Sequence, residues 1–333
     1  MTSSLRDTPR IVIAGASSLL GAELRAMLEE SRFAAADVRL LDEELVAGTL
    51  TEAGGAAAVI QPVEEGSFHR ASVVFFSGSA NFTVANLTAA RAGGATVIDL
   101  SGATLTHSEC VTWFPNLDGL LARNFAKSGK LFAIPTAAAT SAASLTLALA
   151  KLAATRVTFV IFQPVSEAGR PGVEELESQT GQLLSFQGVG QPVFDTQVAF
   201  NLLDRFGPES LQKLSTSRQR LAAETKACVR EAAAMPALQV IHAPVFYGTA
   251  FAACAEIAGA GAEPIAQACH DAGLLMAPDG TGPSNVSVAG EKYIHLARPE
   301  KDLAQARMWW FWGAADNMRL PAANAVKLAE MLA

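Results

Sequence analysis

The sequence predicts an α/β fold for the first part of the chain and an α+β fold for the second. In the first part, short apolar strands alternate with helical segments, which is typical of a parallel sheet with helices on both faces. The predicted strands are 11–14, 38–41, 73–76 and 96–100. The first strand stops at Gly15, and apolar residues at helical spacing lie around Gly21. Strand, glycine turn and helix therefore open a Rossmann-like dinucleotide-binding unit, and a crossover helix is expected at 84–92, before Gly93.

The pattern changes after Pro135. A helix with Leu145 and Leu149 on one face leads to a strand at 157–165, and a long polar segment follows. Further predicted strands are 239–246, 251–257, 293–296 and 308–312. Strands grouped with fewer helices favour an α+β domain with a mixed or antiparallel sheet. The pattern of the last helix, 322–332, allows it to pack on either domain.

The composition indicates a soluble protein of two domains. The chain has 333 residues, of which 50% are hydrophobic and 17% charged, so a sizeable core can form. A net charge of −7 and a pI near 5.3 argue against a nucleic-acid or anionic-membrane surface. The first ten residues lack the apolar core of a signal peptide, and 137–154 is mostly Ala, Ser and Thr. We therefore expect a cytoplasmic protein that does not span a membrane.

Neither a disulfide framework nor a metal site is expected. The cysteines are scattered and form no CxxC pair: Cys110, Cys228, Cys254 and Cys269. Four of the histidines have no neighbours in sequence that suggest metal ligation: His69, His107, His270 and His295.

Four segments carry a family resemblance. They are GASSLLG (Gly15–Gly21), FQPVSEAGRPGVEEL (Phe162–Leu176), APVFYG (Ala243–Gly248) and DNMRLPAANAVKLAE (Asp316–Glu330). In their order and separation they resemble aspartate-semialdehyde dehydrogenase over nearly the whole chain, and the second and fourth are specific to that family.

The resemblance implies a domain organisation and an assembly. A Rossmann-like NAD(P)-binding domain is expected at 1–134, and a semialdehyde dehydrogenase dimerisation and substrate domain at 135–315. The C-terminal helix, 316–333, is expected to pack back on the N-terminal domain. The resemblance also implies a homodimer and, for active members, a role in amino-acid biosynthesis.

The catalytic residues of the family are missing from their expected positions. Family members reduce an aspartyl phosphate with NADPH through a cysteine thioester, which requires a thiol, a base and arginines that bind anions. The cysteine position falls on Ala137 and the histidine position on Thr249, while the two arginine positions fall on His242 and Leu105. Loss of a single nucleophile commonly removes about 10⁴- to 10⁶-fold of the rate. The sequence therefore predicts that the family reaction is lost.

Other residues match the substrate side of the family pocket. Gln163 matches a glutamine that orients substrate, and Glu224 and Lys226 match an acidic and basic pair. His242 stands where an anion was bound, and a protonated imidazole can bind a carboxylate. These residues have two interpretations: they line a retained pocket for a small acidic ligand, or they are scaffold residues. The hydroxyl of Thr136 at the helix start is interpreted as a helix cap.

The predicted dinucleotide site differs from that of NADP-dependent members. The middle glycine of the first loop has become Ser18, whose Cβ crowds the diphosphate position. Asp42 ends the second strand where a 2′-phosphate would lie, so the sequence favours NAD over NADP, or no dinucleotide at all. The cofactor-side candidates are Gly15, Ser17, Ser18, Leu19, Leu20, Gly21, Asp42, Ser77, Gly78 and Asn317.

The leading interpretation is a catalytically degenerate member of the family, similar to its Usg-type proteins. Such a protein is non-enzymatic or binds a ligand. Two alternatives stay open: an active oxidoreductase of the family, and a new reaction in the old pocket that uses His242, Glu224 and Lys226.

Overall fold

The structure is a computed structural model, and it describes residues 9–46, 48–53, 56–125, 127–278 and 280–333. The chain divides into two compact units. The N-terminal unit runs to Phe114 and also includes Phe125–Pro135 and Pro321–Ala333. The C-terminal unit comprises Pro115–Asn124 and Thr136–Leu320.

The helices in chain order are α1 (Leu19–Glu29), α2 (Ala80–Ala92), α3 (Leu117–Leu120), α4 (Ala137–Ala150), α5 (Gly169–Leu184), α6 (Leu214–Val229), α7 (Ala262–Asp271) and α8 (Arg319–Leu332). The strands are β1 (Arg10–Ala14), β2 (Asp37–Asp42), β3 (Leu50–Ala53), β4 (Ala56–Val59), β5 (Gln61–Pro62), β6 (Ala71–Phe76), β7 (Thr96–Asp99), β8 (Val111–Thr112), β9 (Leu131–Ala133), β10 (Thr155–Gln163), β11 (Ala237–His242), β12 (Thr249–Glu256), β13 (Leu274–Met276), β14 (Ile294–Leu296), β15 (Glu300–Lys301) and β16 (Met308–Ala315).

The N-terminal unit is built on a parallel sheet, in agreement with the predicted fold class. Its seven strands have the order β5-β2-β1-β6-β7-β9-β8, and every neighbouring pair is parallel. The four predicted strands correspond to β1, β2, β6 and β7. The predicted helix 84–92 is part of α2, which begins earlier because Ser79 caps it by accepting a hydrogen bond from Phe82 N.

Both faces of this sheet are buried. Because successive residues of a strand point to opposite faces, Ile11 and Ile13 join the core on one side and Val12 the core on the other. Residues 322–329 of α8 contribute apolar side chains to the first of these cores, and Phe82 of α2 contributes to the second.

The C-terminal unit contains a mixed sheet, as expected for an α+β domain. The strand order is β11-β10-β12-β16-β14-β13, with β15 paired to β16. Strands β10 and β11 are parallel, whereas β12 runs antiparallel to β10 and to β16. The predicted strands at 157–165 and 239–246 end earlier than expected, at Gln163 and His242, since Pro164 and Pro244 have no N–H for a sheet hydrogen bond.

The polar segment after β10 is more regular than the sequence analysis indicated. It contains two helices of 16 residues each, α5 and α6. Both were missed because few of their residues are large and apolar: α6 buries Leu214 and Leu221, but more than half of its residues are polar or charged. Helix α6 supplies much of the candidate site.

One face of the mixed sheet is covered by helices and the other is more open. On the covered face, Phe159 and Phe251 lie with ring centroids 5.9 Å apart in a core that also includes Leu149 of α4. On the other face of β16, Trp310 and Trp312 keep 47% and 39% of their surface exposed. Among the residues described, none of the helices has the length and apolarity to cross a bilayer.

Candidate functional site

A buried carboxylate lies at the start of α4. Thr136 caps this helix by accepting a hydrogen bond from Ala139 N at 3.3 Å. Its own backbone N–H and hydroxyl both donate to Glu224 Oε2, at 2.9 and 2.7 Å. Ala137, at the expected nucleophile position, is the first residue of the helix and is buried. The positive end of the α4 dipole therefore meets a carboxylate of the protein itself.

Glu224 also anchors an arginine. The side chain of Glu224 is 1% exposed, and its Oε1 accepts a hydrogen bond of 2.7 Å from Arg220 Nε, one turn earlier on α6. Arg220 keeps 36% of its side chain exposed. A buried carboxylate of this kind is stable only with such partners. Lys226, by contrast, lies exposed two residues further along α6.

A small polar cavity opens beside these residues, within the C-terminal unit. Its volume is about 170 Å³, equivalent to roughly six water molecules. Its lining residues are Thr136, Ala138, Ile161, Gln163, Glu167, Gln212, Lys213, Thr216, Ser217, Arg220, Leu221, Val240 and Thr249. The structure thus brings together Gln163, Thr249 and Thr136, which the sequence analysis had singled out.

Three charged residues of the cavity were missed as site residues: Lys213, Glu167 and Arg220. Lys213, Ser217, Arg220 and Glu224 recur at helical spacing, so one face of α6 carries them. That pattern would have indicated Lys213 and Arg220 if the helix itself had been predicted. Arg220 supplies a guanidinium to the cavity although the two expected arginine positions hold other residues.

Asn317 holds Glu167 in place. Its Nδ2 donates to Glu167 Oε1 at 2.9 Å and to Ser166 Oγ at 3.0 Å, and its Oδ1 accepts a hydrogen bond from Gly248 N at 2.9 Å. Asn317 is predicted to lie on the cofactor side. Its buried amide nitrogen and oxygen both form hydrogen bonds within the C-terminal unit. Desolvation raises the pKa of Glu167 even though its side chain is open to the cavity, while the Asn317 hydrogen bond and the charge of Arg220 oppose that rise.

His242 occupies an apolar environment away from the cavity lining. The imidazole is 1% exposed, and its Nε2 lies 3.1 Å from the Val198 carbonyl oxygen. The rings of Phe194 and Phe206 have centroids 6.2 and 5.6 Å from it. Burial lowers the pKa of His242, so the neutral ring is favoured over the charged ring that an anion clamp requires. The cationic residues of the cavity lining are Lys213 and Arg220 instead.

Leu105 lies in the loop that follows β7 in the N-terminal unit. Asp99, at the end of that strand, is fully buried, and its carboxylate accepts hydrogen bonds from the hydroxyls of Ser101 at 2.6 Å and Thr104 at 2.8 Å. These contacts fix the loop, in which Leu105 is half-buried. The expected arginine position therefore holds a neutral side chain.

The thiols are all held in their protonated form. Burial raises the pKa of Cys110 to about 11 and that of Cys269 to about 12. Burial and the nearby Glu224 raise the pKa of Cys228, and burial also raises that of Cys254. A catalytic cysteine needs the opposite shift. In the described part of the chain, no group of three or more His, Cys, Asp or Glu side chains could hold a metal ion.

The glycine loop of the N-terminal unit is closely packed and internally bonded. Gly15 has φ +92°, and a Cβ there would lie 2.1 Å from Gly78 N, so the two loops touch through their backbones. Ser18 caps α1 by accepting a hydrogen bond from Gly21 N, and its hydroxyl lies 2.9 Å from the Ser77 carbonyl oxygen. Ser18 therefore ties the two loops together.

Asp42 contacts the same loop. Its Oδ2 accepts a hydrogen bond from Ser17 N at 2.7 Å, and its Oδ1 accepts one from Glu43 N at 2.9 Å. Leu19 and Leu20 form the first turn of α1. The N–H groups of such a turn have no acceptor within their helix and are the usual ligands of a diphosphate.

Comparisons with known proteins match both units. The family model described as "Semialdehyde dehydrogenase, NAD binding domain" matches residues 10–121, and "Semialdehyde dehydrogenase, dimerisation domain" matches residues 146–320. The chain belongs to the semialdehyde dehydrogenase family. The first match includes the glycine loop and Asp42, and the second includes most of the cavity lining.

Individual relatives of this family cover almost the whole chain. A USG-1 protein homolog from Pseudomonas aeruginosa is 30% identical over 97% of both chains, and aspartate-semialdehyde dehydrogenase 2 from Vibrio cholerae is 25% identical over 97% of both. The structure of a probable aspartate-semialdehyde dehydrogenase from Pseudomonas aeruginosa superposes with a TM-score of 0.84 at 29% identity, with 98% of each chain covered. The Vibrio cholerae aspartate semialdehyde dehydrogenase II complexed with ASA shares the fold at a TM-score of 0.84 and 24% identity, over 98% of each chain.

Proposed function

We propose that this member of the semialdehyde dehydrogenase family does not carry out the cysteine-dependent reaction and instead binds a small ligand in the polar cavity of its C-terminal unit. The observation that carries the proposal is the start of α4. Glu224 lies there against Thr136, and Ala137 supplies no thiol.

A thioester reaction at this place lacks two requirements. An acyl group needs a thiolate, and the protonated thiols of the chain lie elsewhere, with raised pKa values. Thr249, at the expected base position, is buried and has no ionisable group. The arrangement of Glu224, Thr136 and Ala137 is compatible with a protein that binds a ligand without reacting with it.

The cavity supports ligand binding because it is small and because polar and charged side chains line it beside apolar ones. Gln163 and Thr249 offer hydrogen bonds, and Lys213 and Arg220 offer positive charge. A volume of about 170 Å³ is below the 300 Å³ or more that is usual for drug-sized ligands. The ligand is therefore a small polar molecule.

The N-terminal unit supports NAD as the preferred dinucleotide. The first turn of α1 provides N–H groups for a diphosphate, and the nicotinamide would supply hydride chemistry in a working member of the family. Asp42 places a carboxylate at the end of β2, where it accepts hydrogen bonds from a ribose hydroxyl but repels a 2′-phosphate.

We extend the proposal to a homodimer formed through the open face of the mixed sheet, which exposes Trp310 and Trp312.

The second candidate function is the active dehydrogenase, which the similarity to aspartate-semialdehyde dehydrogenase 2 from Vibrio cholerae favours. The full chain is mixed with aspartate semialdehyde, phosphate and either NAD or NADP, and formation of reduced cofactor is followed by absorbance. That relative, assayed in parallel, is the positive control. We expect no reduced cofactor from this chain. Turnover by the wild-type chain would overturn the proposal and favour the dehydrogenase.

A further inference from the structure

A second cavity of the C-terminal unit adjoins the polar cavity. We call it the basic pocket, after the cationic residues Arg205, Lys213 and Arg218 in its lining. Its volume is about 450 Å³, against about 170 Å³ for the polar cavity. Lys213 lines both cavities, whereas Arg220 lines only the polar cavity and Arg205 and Arg218 line only the basic pocket. The two cavities therefore differ in size and in their cations.

The lining of the basic pocket has an excess of positive charge. Three cationic residues face one acidic residue, Asp204, so the net formal charge of the lining is +2. Asp204 accepts a 2.8 Å hydrogen bond from Nη2 of its neighbour Arg205, and both side chains are exposed. Lys213 and Arg218 form no ion pair with any carboxylate of the described chain. Two positive charges therefore remain to attract an anion.

Arg218 is held by a neutral partner. Its Nη1 donates a 2.7 Å hydrogen bond to Oε1 of Gln239 on β11. This bond orients the guanidinium and leaves its charge unbalanced, whereas the charge of Arg220 is balanced by the buried Glu224 carboxylate. An oriented guanidinium loses less conformational entropy when it binds an anion, and its planar fork matches the oxygens of a phosphate group.

The segment that carries Arg205 is anchored on both sides. Leu203 and His242, at the end of β11, exchange backbone hydrogen bonds of 3.3 and 2.8 Å. On the other side of Arg205, the ring of Phe206 packs on Phe194 with centroids 4.6 Å apart. The backbone of this wall is therefore fixed before a ligand binds, which lowers the entropic cost of binding.

The size and the lining of the basic pocket indicate the class of ligand. A volume of about 450 Å³ is within the range of about 300–1,000 Å³ that is usual for small organic ligands. Phe206, Leu214 and Val240 add apolar surface beside the cations. A matching ligand combines a dianionic group with an organic part. A phosphomonoester has both, since its phosphate carries a charge of about −1.5 to −2 at neutral pH.

We infer that the basic pocket is a second binding site, which takes a phosphomonoester of a small organic molecule. Arg218, Lys213 and Arg205 bind the phosphate group, and the apolar side chains contact the organic part. Gln239 is a positioning residue that orients Arg218 without neutralising it. The inference goes beyond the ligand-binding function proposed for the polar cavity and does not depend on it.

The test is titration calorimetry on the full chain at about pH 7.5, where a phosphomonoester is largely a dianion, and at low ionic strength. The probes are glycerol 3-phosphate, inorganic phosphate and acetate. Glycerol 3-phosphate has the dianion and an organic part, inorganic phosphate has the charge alone, and acetate is a monoanion. We expect glycerol 3-phosphate to bind most tightly, with inorganic phosphate about fivefold weaker and acetate at least about tenfold weaker than inorganic phosphate.

Variants locate the bound phosphate. Arg218→Met should reduce the affinity for glycerol 3-phosphate at least about tenfold, because it removes a charge-assisted hydrogen bond. Gln239→Glu keeps the shape of the side chain but gives Arg218 a carboxylate partner. It should cause a similar loss and reduce the preference for glycerol 3-phosphate over acetate, a change that a merely structural role of Gln239 would not produce. Lys226→Met alters an exposed residue of α6 outside both cavities and should change the affinity less than about twofold. Circular dichroism of each variant checks that it is folded.

Three results would overturn the inference. One is acetate or inorganic phosphate binding to the wild-type chain as tightly as glycerol 3-phosphate. Another is wild-type affinity for glycerol 3-phosphate in both Arg218→Met and Gln239→Glu. The third is a loss of that affinity in Arg220→Met but not in Arg218→Met, which would place the ligand in the polar cavity. The function proposed for the polar cavity has a separate readout, since its failure is the formation of reduced cofactor from aspartate semialdehyde.

Discussion

The hydroxyl of Thr136 donates a 2.7 Å hydrogen bond to Oε2 of Glu224, 88 residues away in the chain. The backbone N–H of Thr136 donates to the same oxygen, so one carboxylate lies at the N-terminus of α4. The resemblance to the dehydrogenases implies a nucleophile one residue further on, at Ala137. Here Ala137 supplies no thiol, and the helix N-terminus faces the Glu224 carboxylate.

Removal of the Glu224 carboxylate should destabilise the C-terminal unit. Glu224→Ala leaves the hydroxyl and N–H of Thr136 and the Nε of Arg220 without their acceptor, which should lower the free energy of unfolding by about 2–3 kcal/mol. Urea denaturation measures this change. Lys226→Ala, on the exposed surface of α6, is the matched control and should change it by less than about 0.5 kcal/mol. A similar loss in both variants would contradict the buried role of Glu224.

The free energy of unfolding should fall as the pH drops below the pKa of an ordinary imidazole. Burial lowers the pKa of His242 in the folded state, so between that value and about 6.5 the unfolded chain binds a proton that the folded chain does not. The contribution of His242 is present above pH ~6.5 and is lost as the pH falls, with a slope of at most about 1.4 kcal/mol per pH unit.

Substitution of His242 separates its contribution to the pH dependence of stability from that of the other titratable groups. His242→Gln can keep a donor near the Val198 carbonyl but cannot be protonated, so its unfolding free energy should depend less on pH between 6.5 and 5 than that of the wild type. Exposed His270, replaced in the same way, should leave the slope unchanged. Chemical denaturation over that pH range is the measurement, and identical slopes for wild type and His242→Gln would sink the prediction.

The regular parts of the fold could be predicted from the sequence because their patterns are local. The apolar runs that became β1, β2, β6 and β7 each end at a polar residue or glycine, and both faces of their sheet are covered. Strands β5 and β8 have two residues each, too short for any periodicity to be recognised. Helix α6 is mostly polar, so its apolar positions were too few to reveal it.

The candidate site was harder to predict because its bonds join distant parts of the chain. The absence of a thiol at Ala137 was readable directly, but the partner of Thr136 lies on α6 and Asn317 reaches back to Glu167. For His242, the sequence motif predicted a functional role that the environment of the side chain does not favour. Its position in the motif suggested an anion clamp, whereas its environment of Phe194 and Val198 depends on how the segment between α5 and α6 folds.

The dinucleotide preference should depend on Asp42. We expect NAD to bind at least fivefold more tightly than NADP, since the carboxylate accepts from a ribose hydroxyl and repels a phosphate. Asp42→Ser should weaken NAD binding about tenfold and remove the preference, because a charge-assisted hydrogen bond contributes about 1.5–3 kcal/mol. Isothermal titration with both dinucleotides is the measurement. Glu44→Ser, an exposed acidic residue nearby, serves as the control, and tighter NADP than NAD binding by the wild type would contradict the prediction.

The homodimer should depend on the open face of the mixed sheet. Trp310 lies opposite Cys254, and Trp312 opposite Ala252, in the antiparallel pair of β12 and β16, so two large rings stand side by side on an exposed surface. Trp310→Lys places a charge in the centre of that surface, where burial against a second copy would cost several kcal/mol. Light scattering coupled to size exclusion should show a dimer for the wild type and a monomer for the variant. Leu303→Lys changes a fully exposed apolar residue outside β16 and should leave the dimer intact, so a Trp310→Lys protein that stays dimeric would place the interface elsewhere.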